Sequence, residues 1–200
     1  MAGISGALER GGGGEEPSEA ERKSLRAGKE KQQELDHKLW LAAMQGDRLG
    51  VEGLLSAGAS ARAKKSKALL AAASNGHVEC LALLCSKKHE KGQLAMALKV
   101  SAMCGRVACV LELFERVENS EEKLAAIRMA AGWGRAEVVS VLLGRGVGRD
   151  QSALIELMER AGEEGHEGTV EVIASFIEGW ELSKSVQPAG AASAKSGLRL

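Results

Sequence analysis

The sequence predicts an all-α solenoid of about five stacked helix pairs, on three observations. A glycine recurs at Gly46, Gly76, Gly105, Gly134 and Gly165, at spacings of 30, 29, 29 and 31 residues. Apolar residues keep fixed offsets on both sides of each glycine. Aromatic residues are scarce: Trp40, Phe114, Trp133, Phe176 and Trp180, with no tyrosine. A period of roughly 30 residues marks a stacked repeat, and thin layers of Ala, Leu and Val leave little room for rings.

Taken in chain order, residues 1–17 carry a four-glycine run and no apolar period, and are expected to be a flexible tail. Ser18 followed by Glu21 fits a capping box, which starts a helix. The stretch 18–37 is almost wholly charged, with Leu25 and Leu35 its main apolar residues. It is expected to be a charged helical leader that caps the first packed unit. The repeat region then runs over 38–185, and 186–200, small, polar and proline-bearing, is expected to be a second flexible tail. Residues 1–16 lack the apolar stretch of a secretory signal, and with Ala2 the myristoylation pattern is absent.

Within each unit the offsets describe two short amphipathic helices. Seven residues before the glycine stand Leu39, Leu69, Leu98, Ile127 or Met158, and three before it Ala43, Ala73, Ala102, Ala131 or Gly162. Five after it come Val51, Leu81, Val110, Val139 or Val170, and eight after it Leu54, Leu84, Leu113, Leu142 or Ile173. Spacings of three and four put these residues on one face of each helix. The glycine accepts the left-handed backbone that ends the first helix. The small residue one turn earlier lets neighbouring helices approach. One pair cannot bury its apolar face alone, so consecutive pairs must stack.

The chain resembles the ankyrin repeat family. Ala42-Ala43, Gly46-Asp47, Leu54-Leu55 and Gly58-Ala59 carry the resemblance in the first unit. Ala72-Ala73, Asn75-Gly76-His77 and Leu83-Leu84 carry it in the second, and Ala130-Ala131, Gly134, Val138-Val139 and Leu142-Leu143 in the fourth. The third and fifth units are degenerate, although His166 follows Gly165 as His77 follows Gly76. The family period is about 33 residues, so these units are two to four residues short, and none opens on Thr-Pro-Leu-His. The β-hairpin fingers that the family projects between units are therefore expected to be shortened or absent. Helices before the third to fifth glycines are expected to start early.

The resemblance implies a non-catalytic protein-interaction module, a scaffold or adaptor whose partner lies on the concave surface of first helices and fingers. Carried over, the groove positions are those one before each glycine (Gln45, Asn75, Cys104, Trp133, Glu164) and six before it (Trp40, Leu70, Lys99, Arg128, Glu159). Trp133 is either an exposed binding anchor or a cover for the neighbouring turn. The resemblance gives His77 and His166 a structural part, orienting the turn by hydrogen bonding.

Charge adds a clue to the partner. The 27 basic and 27 acidic residues cancel, yet they are unevenly placed. From 59 to 99, eight basic residues (Arg62, Lys64, Lys65, Lys67, Lys87, Lys88, Lys91, Lys99) face Glu79 and Glu90, a net of +6. From 150 to 181, nine acidic residues face Arg160, a net of −8. The basic residues fall mostly in the turns after units one and two, where they would form an edge suited to an acidic protein surface, or serve only as a solvated face. Nucleic acid is the alternative partner, weakened by the lack of aromatic residues beside the lysines.

Catalysis finds no motif: HExxH, GxSxG and Walker patterns are all missing, and Gly144-Arg145-Gly146-Val147-Gly148 follows a helix rather than a strand, as a turn would. No cofactor is expected. Cys80, Cys85, Cys104 and Cys109, with His77 and His89 nearby, leave a metal-dependent protein open as a third reading. Their four-residue spacing lacks the tight knuckle of most structural zinc sites and suits packing equally. The expected protein is an intracellular monomer, cytoplasmic or nuclear, in a reducing compartment, without a membrane span.

Overall fold

The computed structural model describes residues 18–186 except Lys88, Glu90 and Arg149. The tail expected at 1–17 lies outside the described residues, as does the one expected at 186–200 beyond Val186. Ten helices and no strand occur among the described residues: α1 (Glu19–Gln45), α2 (Arg48–Ser56), α3 (Ala63–Asn75), α4 (Val78–Cys85), α5 (Lys91–Met103), α6 (Val107–Phe114), α7 (Ser120–Gly132), α8 (Ala136–Gly144), α9 (Gln151–Glu163) and α10 (Glu167–Val186). The odd-numbered helices pack against one another in succession, and so do the even-numbered ones. The chain is therefore two parallel rows of helices, one first helix and one second helix per layer.

The repeated offsets are the core of this stack. Leu39, Leu69, Leu98 and Ile127 are fully buried, as are Ala43, Ala73, Ala102 and Ala131 beside them. The second row contributes Val51, Leu81, Val110 and Val139, together with Leu84, Leu113, Leu142 and Ile173. These residues form one cluster running through every layer. Leu54 in the first unit and Met158 in the fifth are only partly buried, since an outer unit has a neighbour on one side alone. Thr169 takes the place held by Cys80, Cys109 and Val138 in inner units, and its buried hydroxyl has no hydrogen-bond partner.

Each helix end has an identifiable cause. Ser18 and Glu21 form the capping box: the Ser18 N–H donates to Glu21 Oε2 at 2.7 Å and the Glu21 N–H to Ser18 Oγ at 3.3 Å. The Ser18 N–H, with the hydroxyl adding to it, holds the exposed Glu21 carboxyl below its ordinary range. α1 then runs unbroken for 27 residues, so leader and first repeat helix are one rod. Its side chains stay exposed through Glu34, and burial begins at Leu35 and completes at Leu39. The five junction glycines all have positive φ, between 64° and 88°. Asn119 caps α7 by accepting from the Glu121 N–H, and Asp150 caps α9 by accepting from the N–H groups of Ser152 and Ala153.

The connection between units one and two departs from a simple turn. Lys64, Lys65 and Ser66 all lie in the left-handed region (φ 47°, 58° and 60°) although none is glycine. Such backbone costs roughly 1–2 kcal/mol per residue, so something must hold it. Ser66 is buried, and its hydroxyl sits 3.1 Å from His89 Nδ1, while His89 Nε2 sits 2.8 Å from the Leu84 carbonyl. A carbonyl only accepts, so Nε2 carries the proton, Nδ1 accepts, and Ser66 donates. Right-handed winding of α3 begins only at Lys67.

Candidate functional site

The residue after each glycine builds the contact between layers. His77 Nε2 lies 3.0 Å from the Met44 carbonyl, and Arg106 Nε donates to the Ser74 carbonyl at 3.0 Å. Arg135 Nε donates to the Met103 carbonyl at 2.9 Å, and His166 Nε2 lies 3.2 Å from the Gly132 carbonyl. Every acceptor is the carbonyl two residues before the preceding unit's glycine. One bond is thus repeated at all four interfaces, twice by histidine and twice by arginine. In the first unit, which has no predecessor, Asp47 caps its own helix by accepting from the Gly50 N–H at 2.9 Å.

These side chains also explain why the glycines are needed twice over. A Cβ on Gly46 would stand 2.5 Å from His77 Nδ1, and one on Gly134 2.7 Å from His166 Nδ1. On Gly76 or Gly105 it would meet the Cδ of Arg106 or Arg135 at 3.0 Å. Positive φ and close approach both exclude a side chain. His77 and His166 each lie within hydrogen-bond distance of a carbonyl of the preceding unit. Arg106 and Arg135 were not foreseen in this contact. Comparing the column Asp47, His77, Arg106, Arg135, His166 would have found them, since each long donor reaches the same carbonyl.

Three of the groove candidates on the first helices are engaged by side chains of the adjacent layer. Lys67 places Nζ 3.7 Å from the centre of the Trp40 ring, and His37 lies beside the same ring. Lys99 pairs with Glu122 of α7 at 2.9 Å, and Arg128 with Glu156 of α9 at 2.8 Å. Trp40, Lys99 and Arg128 therefore tie adjacent layers together. Trp133, the residue that ends α7, is 53% exposed.

The basic residues of units one and two are not all loop residues. Arg62 precedes α3, Lys64 and Lys65 sit exposed on the left-handed turn, and Lys67 lies within the helix. Lys87 is exposed after α4; Lys88 and the side chain of Lys91 lie outside the described residues. Gln32, Asp36, Ser60, Arg62, Lys65 and Gln93 line an open hollow beside the left-handed turn. Asp36 is held there, accepting from the Ser60 N–H at 2.7 Å and from Gln32 at 2.9 Å.

Cys80, Cys85 and Cys109 are buried in the second-helix row and Cys104 is half-buried, all as free thiols. Burial pushes Cys85 and Cys109 up to about 11, so both are protonated near neutral pH. Among the described residues, no three His, Cys, Asp or Glu side chains converge as metal ligands, and no helix is long and apolar enough to cross a membrane.

A stack of glycine-hinged helix pairs, bridged at every layer by one side chain, defines a repeat solenoid. Residues 39–121 match the family model for ankyrin repeats, in three copies. Over those residues the chain is similar to ankyrin repeats, with shortened units that form no strand among the described residues. No curated protein matches it. Among solved structures, the human ASB11 ankyrin repeat domain is similar in fold, with a TM-score of 0.57 and 21% identity over 68% of this chain and 67% of that one. Ankyrin repeats as a class mediate contacts between proteins, typically without catalysis.

Proposed function

We propose that this chain is a non-catalytic adaptor that holds a partner protein on its first-helix face and on the basic edge at Arg62, Lys64, Lys65 and Lys87. One observation carries the reading most directly: Trp133 is more than half exposed at the end of a helix whose inner face is fully packed. Exposed tryptophan beside a rigid helical row is the kind of anchor that dominates binding energy. Cysteines at packing positions of the second-helix row fit a reducing, cytoplasmic or nuclear setting. A basic-patch nucleic-acid binder draws less support, because Lys67 and Lys99 are committed to Trp40 and Glu122.

The test is capture of a partner from lysate of the source cells, on wild-type bait and two variants. Trp133→Ala is expected to lower capture about tenfold. Joint neutralisation of Lys64, Lys65, Lys87 and Lys88 by glutamine should lower it less and reduce its salt dependence. Helix content of both variants, read by circular dichroism, should be unchanged. Equal capture by wild type and both variants sinks the proposed surface.

A further inference from the structure

We infer that the first-helix face takes a partner segment that is apolar along its length and basic at the end lying over α9. The inference rests on the interaction-module reading above and adds the chemistry of the partner. Residues nine, six and two positions before each glycine share one helix face, at offsets of three and seven. Contacts between layers join this face from α1 to α3 and from α7 to α9. Lys67 meets Trp40, and Glu156 meets Arg128, each nine-before side chain touching the six-before side chain of the preceding unit.

Every described cation on the face is engaged: Lys67 on Trp40, Lys99 with Glu122, Arg128 with Glu156. Apart from His37 at the Trp40 ring, what remains open on α1 and α5 is apolar. Met96 is 49% exposed and Met44 36%, and Met103, on α5 with Met96, is half-buried. On α9 the same positions are Glu156, Glu159 and Glu163, three carboxylates on one helix face. Only Glu156 has a described cation. Arg160 does not serve the others, for its Nε lies against α7, 2.8 Å from where a Gly132 Cβ would stand. Like charges three and four apart on a helix repel, so the row is relieved by a cation from outside. Trp133, exposed where α7 ends, belongs to the helix packed next to α9. Methionines accommodate varied apolar side chains. An acidic segment, or a nucleic acid, would meet repulsion at α9.

The experiment selects ligands for the whole chain from a phage-displayed library of random 16-residue segments, then titrates a synthetic copy of one recovered segment. The recovered segments should carry apolar residues and an excess of lysine or arginine toward one end. Glu159→Lys with Glu163→Lys should weaken the synthetic segment at least tenfold. Glu159→Gln with Glu163→Gln, a milder change that keeps helix propensity, should weaken it several-fold and flatten its salt dependence. Segments without a basic excess, or equally tight binding to the charge-reversed chain, overturn this partner chemistry and leave the adaptor reading standing. Recovery of no segment from the wild-type chain overturns both.

Discussion

Each helix pair has two ends, and they are built by opposite rules. Where a first helix hands over to its second, all five units use a positive-φ glycine, and all four interfaces use one long donor reaching back to one carbonyl. Where one unit hands over to the next, the connections vary. The first relies on Asp36 holding Ser60 and on a left-handed turn. The second uses His89 on the Leu84 carbonyl, the third an asparagine cap, the fourth an aspartate cap. The layer spacing is set at the glycine end, which leaves the other end free to vary in length, shape and charge.

Five substitutions probe that contrast. Gly134→Ala adds a side chain at φ 64° and drives its Cβ into the His166 ring. It should cost about 2–3 kcal/mol in urea unfolding, combining backbone strain with a displaced hydrogen bond. Gly53→Ala, in α2 with nothing within 4 Å of its Cβ, should be neutral or stabilising by up to about 1 kcal/mol. Equal costs at the two sites would remove the distinction between a rigid junction and ordinary helix.

Ser66→Ala tests the variable end. Removing the hydroxyl leaves His89 Nδ1 without its donor and frees the left-handed turn, at an expected cost of about 1–2 kcal/mol. Hydrogen exchange should speed up locally at residues 60–67 while the junction amides of units three to five stay protected. Loss of protection throughout would mean that the connections also hold the stack together.

A smaller loss concerns the donors themselves. Arg106→Ala should cost about 1 kcal/mol, because the bond to Ser74 is exposed. Arg106→His should recover most of that, since histidine makes the same bond at Met44. A histidine variant as unstable as the alanine one would show that the two side chains are not interchangeable.

The parts of this structure that repeat were legible in the sequence, and those that do not repeat were not. Leu39, Ala43, Val51 and their counterparts could be placed because a fixed offset from a glycine fixes the helix face. Arg106 and Arg135 escaped notice because histidine and arginine look unalike, although both present an N–H at the required reach. Lys64–Ser66 gave no sign of left-handed backbone, because its cause is a contact with His89, 23 residues away from Ser66. The groove cations were seen as residues but not as pairs. Glu122 lies twelve positions before its glycine and Glu156 nine before its own, so no single offset reveals both partners. Trp133 was left between anchor and cover, a choice that only its surroundings could decide.

The bridging donor belongs to the later unit and its acceptor to the earlier one. During synthesis the N-terminal units emerge first, and their carbonyls stand in place before the donors that will use them have been made. Each unit leaving the ribosome then brings the group that fastens it to the layer already folded. Asp47 in the first unit instead bonds within its own helix. The stack can therefore grow in the order in which it is translated, one latch per layer.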